Sequence, residues 1–88
     1  MDHILARIRG AKVEDIKSML KADMSKHAEQ GLILRHIWRN IDDPDEILFI
    51  FTTTDLNRAR KFIEMVHAET LKENPNANLP EVLFLKSE

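Results

Sequence analysis

The side chains of this sequence best suited to chemistry are its histidines, its one tryptophan and several arginines. His36 and Trp38 are two residues apart, so on a strand they project from the same face. There an imidazole and an indole N–H can orient a polar aromatic ligand. In the competing interpretation Trp38 is a core or interface anchor and His36 is an edge residue near solvent. The pair therefore predicts either a ligand-binding face or a packing surface.

A second candidate surface is formed by arginines at alternating positions. Arg7 and Arg9 share a face with His3 if this segment is a strand. Guanidinium groups on an otherwise apolar strand can bind a carboxylate or a quinone-like oxygen. The alternative is that both arginines pair with acidic residues across a dimer interface or at its rim.

The two remaining histidines lie in helical patterns. His67 adjoins the apolar stripe of a predicted helix, where it is either a proton shuttle or a structural histidine. His27 lies near the end of another predicted helix, and we expect it to interact with the negative end of that helix.

Together these residues predict a ligand pocket. His36 or His67 would be the catalytic group that accepts a proton from an acidic phenol. Arg7 would stabilise the resulting oxyanion, and Trp38 would stack on the ring of the ligand. The face of the 32–40 segment that lines the pocket stays open, because Arg35, Ile37 and Arg39 form a rival set.

Composition excludes several other classes. The chain has 88 residues, a formal net charge of −2 and no cysteine, which excludes a disulfide scaffold and a thiolate site. The histidines show no H-x-H or H-x-x-x-H spacing, so we predict no metal and no cofactor. Dispersed lysines and arginines argue against nucleic-acid binding. The longest apolar run, Ile47 to Phe51, is too short to cross a membrane. We therefore expect a cytoplasmic protein.

The elements that would position these residues follow from hydrophobic periodicity and turn signals. The patterns predict one domain over residues 1–88 with the order βαββαβ. This order is typical of a ferredoxin-like α+β sandwich, in which two helices cover one face of a four-stranded antiparallel sheet. The predicted strands are residues 3–9, 32–40, 46–53 and 81–86. The first predicted helix covers residues 12–30 and ends before Gly31, and the second begins after an N-cap at Thr54 or Asp55 and extends to about Glu73.

The predicted third and fourth strands are apolar on both alternating sets of residues. Two helices cover only one face of such a sheet, so the other face needs an apolar partner. A second copy of the chain meets this need, and the sequence predicts a homodimer through the open sheet face.

Several motifs are shared with a known group of proteins. They are Gly31 before the strand that ends in Trp38-Arg39, the turn Asp42-Asp43-Pro44-Asp45, the helix start Asp55-Leu56-x-x-Ala59-Arg60-x-Phe62, and the closing segment Pro80 to Leu85. With these motifs the chain resembles the dimeric α/β-barrel superfamily, which includes antibiotic-biosynthesis-monooxygenase-like and cyclase-like small bacterial proteins. The resemblance implies a barrel-like homodimer with a pocket between the sheet and the helices of each subunit. Haem-degrading members carry an Asn on the first strand and a Trp on the third. In this chain the first strand has no Asn and the third strand has no Trp. Only His67, on the second predicted helix, lies on a matching element, which argues against haem degradation.

Two functions from different classes remain open at this point. One is a cofactor-independent monooxygenase-like or cyclase-like enzyme that acts on a small aromatic or polyketide-type molecule. The other is a non-catalytic ligand-binding or structural dimer. An enclosed pocket with at least two converging polar groups would favour the enzyme, and a pocket filled by Phe and Leu side chains would favour the alternative.

Overall fold

The computed structural model describes all residues of the chain, 1–88, and confirms the predicted ferredoxin-like α+β layout. Alternating apolar residues form the strands, and longer 3.6-residue patterns form the helices. The elements are β1 (Asp2–Arg9), α1 (Val13–Ala22), α2 (Met24–Glu29), β2 (Ile33–Arg39), β3 (Glu46–Thr53), α3 (Leu56–Glu73) and β4 (Glu81–Lys86).

The four strands form one antiparallel sheet in the order β2-β3-β1-β4. The central strand β1 pairs with β3 on one side and with β4 on the other, so Ile4 lies opposite both Phe51 and Phe84. The sheet is open and does not close into a barrel within one chain, which leaves β2 and β4 as edge strands.

The segment predicted as one helix over residues 12–30 is two helices, which corrects the prediction. The break is at Asp23, whose backbone (φ −96°, ψ 5°) leaves the helical region. The second helix, α2, ends at Gly31 (φ 78°) in a Schellman motif: the N–H of Gly31 donates to Ala28 O, and the N–H of Leu32 donates to His27 O. Gly31 was predicted as this terminator because glycine adopts positive φ without a Cβ clash.

The edge strand β2 contains a β-bulge. Leu34 lies opposite Phe51 and His36 lies opposite Ile50, so Arg35 is the extra residue. The Arg35 guanidinium donates a hydrogen bond of 2.9 Å to Thr52 Oγ1 on β3. The bulge therefore sets which β2 side chains share each face of the sheet.

The core lies between the helices and one face of the sheet. Its largest fully buried side chains are Ile4 on β1 and Ile47 on β3. Each helix contributes a short apolar stripe to this layer. The helix side of the core consists of Ile16, Leu20, Ala59 and Phe62.

The opposite face of the sheet is not covered within one chain. The sequence predicts burial on both faces of β3, but its buried apolar side chains are all in the helix-facing set, while Leu48 and Ile50 on the other face are partly exposed. Leu83 and Leu85 of β4, on the same face and separated from them by β1, are 37% and 41% exposed. We call this surface, formed by the outward side chains of β1–β4, the open face.

The structure contains no helix long and apolar enough to cross a membrane. Its longest helix, α3, has 18 residues and carries charged side chains along its length.

Removal of a core side chain is expected to destabilise this sandwich far more than removal of the same side chain at the surface. Ile47→Ala should lower the free energy of unfolding by about 2–5 kcal/mol, because Ile47 is 2% exposed and its truncation leaves a cavity. Ile41→Ala, at a residue that is 92% exposed, should change it by about 0.5 kcal/mol or less. Urea denaturation at one protein concentration measures both values. Similar losses in the two variants would contradict this description of the core.

Candidate functional site

A cavity of about 610 Å³ lies between the helix layer and the sheet. Its walls come from β1, β3 and β4 on one side and from α1, α2 and α3 on the other. Most of its lining side chains are apolar, and a few polar groups from different elements face the same space. This combination is characteristic of binding sites for small organic molecules.

The floor of the cavity contains a small side chain in the middle of the sheet. Ala6 on β1 lies between Phe49 of β3 and Val82 of β4, and all three line the cavity. A methyl group fills less of the interlayer space than the Ile side chains at positions 4 and 8 of the same strand. Ala6 therefore helps to leave room above the centre of the sheet.

His27 lies at the inner part of the cavity among aromatic rings. Its ring meets Phe51 edge-on at 5.5 Å and Phe62 edge-on at 6.0 Å between ring centroids. Burial lowers the pKa of His27; the nearby Asp23 carboxylate opposes this shift, and Lys26 adds to it. The imidazole is therefore held in its neutral form, with one donor and one acceptor nitrogen.

His67 faces the same cavity from α3. Burial alone lowers its pKa, so it too is favoured as the neutral imidazole. Thr70, one turn further along α3, also lines the cavity, and its hydroxyl donates to the backbone O of Val66. The imidazole rings of His27 and His67 form no hydrogen bond with another group of the protein.

The mouth of the cavity is marked by the lining residues that are exposed to solvent. Lys12, Asp15 and Met19 form its α1 side, and Asn78 forms the opposite side. The Asn78 side chain donates a hydrogen bond to the backbone O of Arg9, which ties the loop before β4 to the end of β1. A ligand that enters here passes polar groups before it reaches the apolar interior.

The other residues of the predicted site lie on the open face. His36 and Trp38 stack on each other there, with ring centroids 4.9 Å apart and an interplanar angle of 13°. Arg7 forms an ion pair of 3.0 Å with Glu81 of β4. The structure thus divides the predicted set: His67 lines the cavity, whereas Arg7, His36 and Trp38 lie on the opposite side of the sheet.

The rival set on β2 does not line the cavity either. Ile37 packs against the core, Arg35 binds Thr52, and Arg39 is exposed. Arg9, on the same strand as Arg7, pairs with Asp43 and lies 3.9 Å from Glu46. Both acidic partners of Arg9 thus belong to its own chain.

His27 is the cavity residue that sequence reasoning did not select. The sequence predicts that His27 interacts with the negative, C-terminal end of its helix, whereas its ring packs against Phe51 and Phe62. A signal was present in the spacing: Ile16, Leu20, Asp23 and His27 follow at intervals of four, three and four, and all four line the cavity.

No three His, Asp or Glu side chains converge in a way that could hold a metal ion.

Comparison with known proteins supports the fold. No protein-family model and no curated protein matches the sequence. The crystal structure of protein Atu4242 from Agrobacterium tumefaciens superposes with a TM-score of 0.60 at 13% identity, over 100% of this chain and 94% of that one. At this level of identity the likeness concerns the fold alone.

The lowered pKa of His27 predicts a pH dependence of stability. An unfolded histidine titrates near its ordinary pKa of about 6.5, so below this pH the unfolded chain binds the proton first. The free energy of unfolding should therefore decrease from neutral pH to about pH 5, above the range of ordinary carboxylates. His27→Phe, which keeps a ring against Phe51 and Phe62, should make this decrease shallower.

Urea denaturation at several pH values checks this prediction. Met65→Phe is the control, because it adds a ring on the exposed side of α3 and removes no titratable group. An unchanged pH dependence in His27→Phe, or an equal change in Met65→Phe, would contradict the assignment.

Proposed function

We propose that this protein binds a small ring-containing organic molecule in the cavity between its helices and its sheet. The observation that carries the proposal is the cavity itself: about 610 Å³, mostly apolar, with polar groups contributed by several elements. Pockets for small ligands have volumes of roughly 300–1,000 Å³ and the same kind of lining. The apolar walls would hold the ring system, and His27 and His67 would orient its polar substituents.

The chemistry that suits this site best is proton transfer from a hydroxyl group of the ligand. A neutral imidazole accepts a proton efficiently near neutral pH, and the lowered pKa of His67 keeps it in that form. His67 is free to do so because no group of the protein occupies its ring nitrogens. This role fits a cofactor-independent monooxygenase-like or cyclase-like enzyme that acts on a small aromatic or polyketide-type molecule.

A specific observation favours the second candidate, a protein that binds the ligand without turnover. Arg7, the predicted stabiliser of an oxyanion, lies on the open face and is paired with Glu81. A deprotonated ligand in the interior of the cavity would have the newly charged histidine as its only cationic partner, because Lys12 lies at the mouth. Incubation of a bound compound with the protein and oxygen, followed by mass spectrometry, separates the two candidates. Turnover that is lost in His67→Leu supports the enzyme, and binding without any product supports the alternative.

We further propose that the open face is the interface of a homodimer. Ile33 and Trp38 of β2 are 48% and 47% exposed, and Leu83 and Leu85 of β4 extend the apolar surface to the other edge of the sheet. Exposed apolar surface of this kind, crossed by ion pairs such as Arg7–Glu81, is typical of protein interfaces. A second copy packed here would give the barrel-like dimer that the sequence resemblance implies.

A substitution that fills the cavity is expected to abolish ligand binding. Val66 is a partly buried lining residue of α3, and Val66→Phe places a larger ring in the cavity. The binding of 2-naphthol, followed by its fluorescence, should become at least about tenfold weaker. Met65→Phe is the control, because Met65 precedes Val66 on the same helix and is 52% exposed.

The same measurement distinguishes the cavity from the open face as the ligand site. If Trp38→Phe weakens the binding of 2-naphthol and Val66→Phe does not, the ligand is bound on the open face and the cavity proposal is wrong. Circular dichroism and thermal denaturation establish that each variant is folded.

The dimer proposal predicts a mass of twice 10.3 kDa, about 20.6 kDa, in light scattering after gel filtration. Leu83→Glu places a carboxylate among the apolar side chains of the proposed interface, on the edge strand β4, and should shift the mass toward one chain. Met65→Glu adds the same charge on the outer side of α3 and should leave the mass unchanged. A wild-type mass of one chain at every concentration would contradict the proposal.

A further inference from the structure

The charged side chains that line the cavity carry a net negative charge. Its charged side chains are Lys12, Asp15 and Asp23, which sum to −1 while His27 and His67 are neutral. All arginines of the chain lie outside the lining. The only cation, Lys12, is exposed at the mouth, three residues before Asp15 on the same side of the cavity. The interior therefore offers an entering anion no fixed positive charge.

The neutral groups of the cavity point to a different kind of ligand substituent. The imidazoles of His27 and His67 each present one hydrogen-bond donor and one acceptor when neutral, and neither is used within the protein. A hydroxyl group both donates and accepts, so it matches either ring. A carboxylate only accepts, and its full charge would lose hydration in a cavity with mostly apolar walls.

We infer that the cavity selects an uncharged, hydroxyl-bearing ring compound over the corresponding carboxylate. The inference rests on the proposed function, since it specifies the chemical class of the ligand in the same cavity. Its physical basis is the unfavourable transfer of an anion into a negatively charged, weakly solvated space, against hydrogen bonds that a neutral hydroxyl forms with the histidines. Proton transfer from such a ligand to His67 would leave the net charge of the cavity unchanged.

The test compares two ligands of the same ring size, 2-naphthol and 2-naphthoate, at neutral pH and low salt. 2-Naphthol is uncharged under these conditions and 2-naphthoate is an anion. Titration calorimetry or fluorescence should give a dissociation constant for 2-naphthol that is lower by about tenfold or more. Low salt matters because Asp15 is exposed, and its effect on a bound anion is reduced by screening.

A charge variant tests the cause of the selectivity. The double variant Asp15→Asn with Asp23→Asn removes both negative charges with little change in shape, and the Asp23 side chain forms no capping hydrogen bond. It should strengthen the binding of 2-naphthoate severalfold and leave the binding of 2-naphthol nearly unchanged. A structural disturbance would weaken both ligands together, so the ratio of the two constants is the decisive quantity.

The outcomes separate this inference from the proposed function. If 2-naphthoate binds as tightly as 2-naphthol or more tightly, or if the double variant leaves the ratio unchanged, the inference is wrong and the cavity remains a binding site. If neither compound binds to the wild-type protein, the proposed function fails, and the inference fails with it.

Discussion

The packing of the helices onto one face of the sheet is the interaction on which the rest of this structure depends. Ile4 and Ile8 of β1, with Phe49 and Phe51 of β3, are nearly inaccessible to solvent because α1 and α3 cover them. Burial of apolar surface stabilises a fold by about 25 cal/mol per Å², and all eleven buried apolar residues belong to this one cluster. The same packing defines the cavity and the open face. The cavity lies within this layer, and the open face is the side of the sheet that the layer leaves uncovered.

The order of elements could be predicted because each element is specified by local patterns. Alternation predicted the strands, the residues Asp42 to Asp45 predicted the turn, and Gly31 predicted the end of the first helical segment. The break at Asp23 could not be predicted in the same way. No glycine or proline stands there, and helix-forming residues flank it on both sides. Its position depends on how the segment fits over the sheet, which is a property of the tertiary structure.

The candidate site could be predicted only in part, because its assembly depends on which face of each strand meets the helices. The apolar stripe of α3 placed His67 correctly beside the core. For β2 the pattern was ambiguous, and the bulge at Arg35 decided that His36 and Trp38 share the open face. His27 escaped prediction because its contact rings, Phe51 and Phe62, are more than twenty residues away in the sequence. Contacts of this kind are set by topology; the spacing of Ile16, Leu20, Asp23 and His27 indicates only that these residues share a face, not which rings that face meets.

The cavity is a departure from close packing in this core. A core made only for stability would be filled, since unfilled volume costs about 24 cal/mol per Å³ when side chains are truncated. Here the small side chain of Ala6 leaves space above the centre of the sheet. The helix that begins after the break at Asp23 carries His27, which lines the same space. Both imidazoles are partly buried, and neither ring forms a hydrogen bond within the protein. A ligand that fills the volume would make packing contacts that the empty protein lacks, so its binding would stabilise the fold.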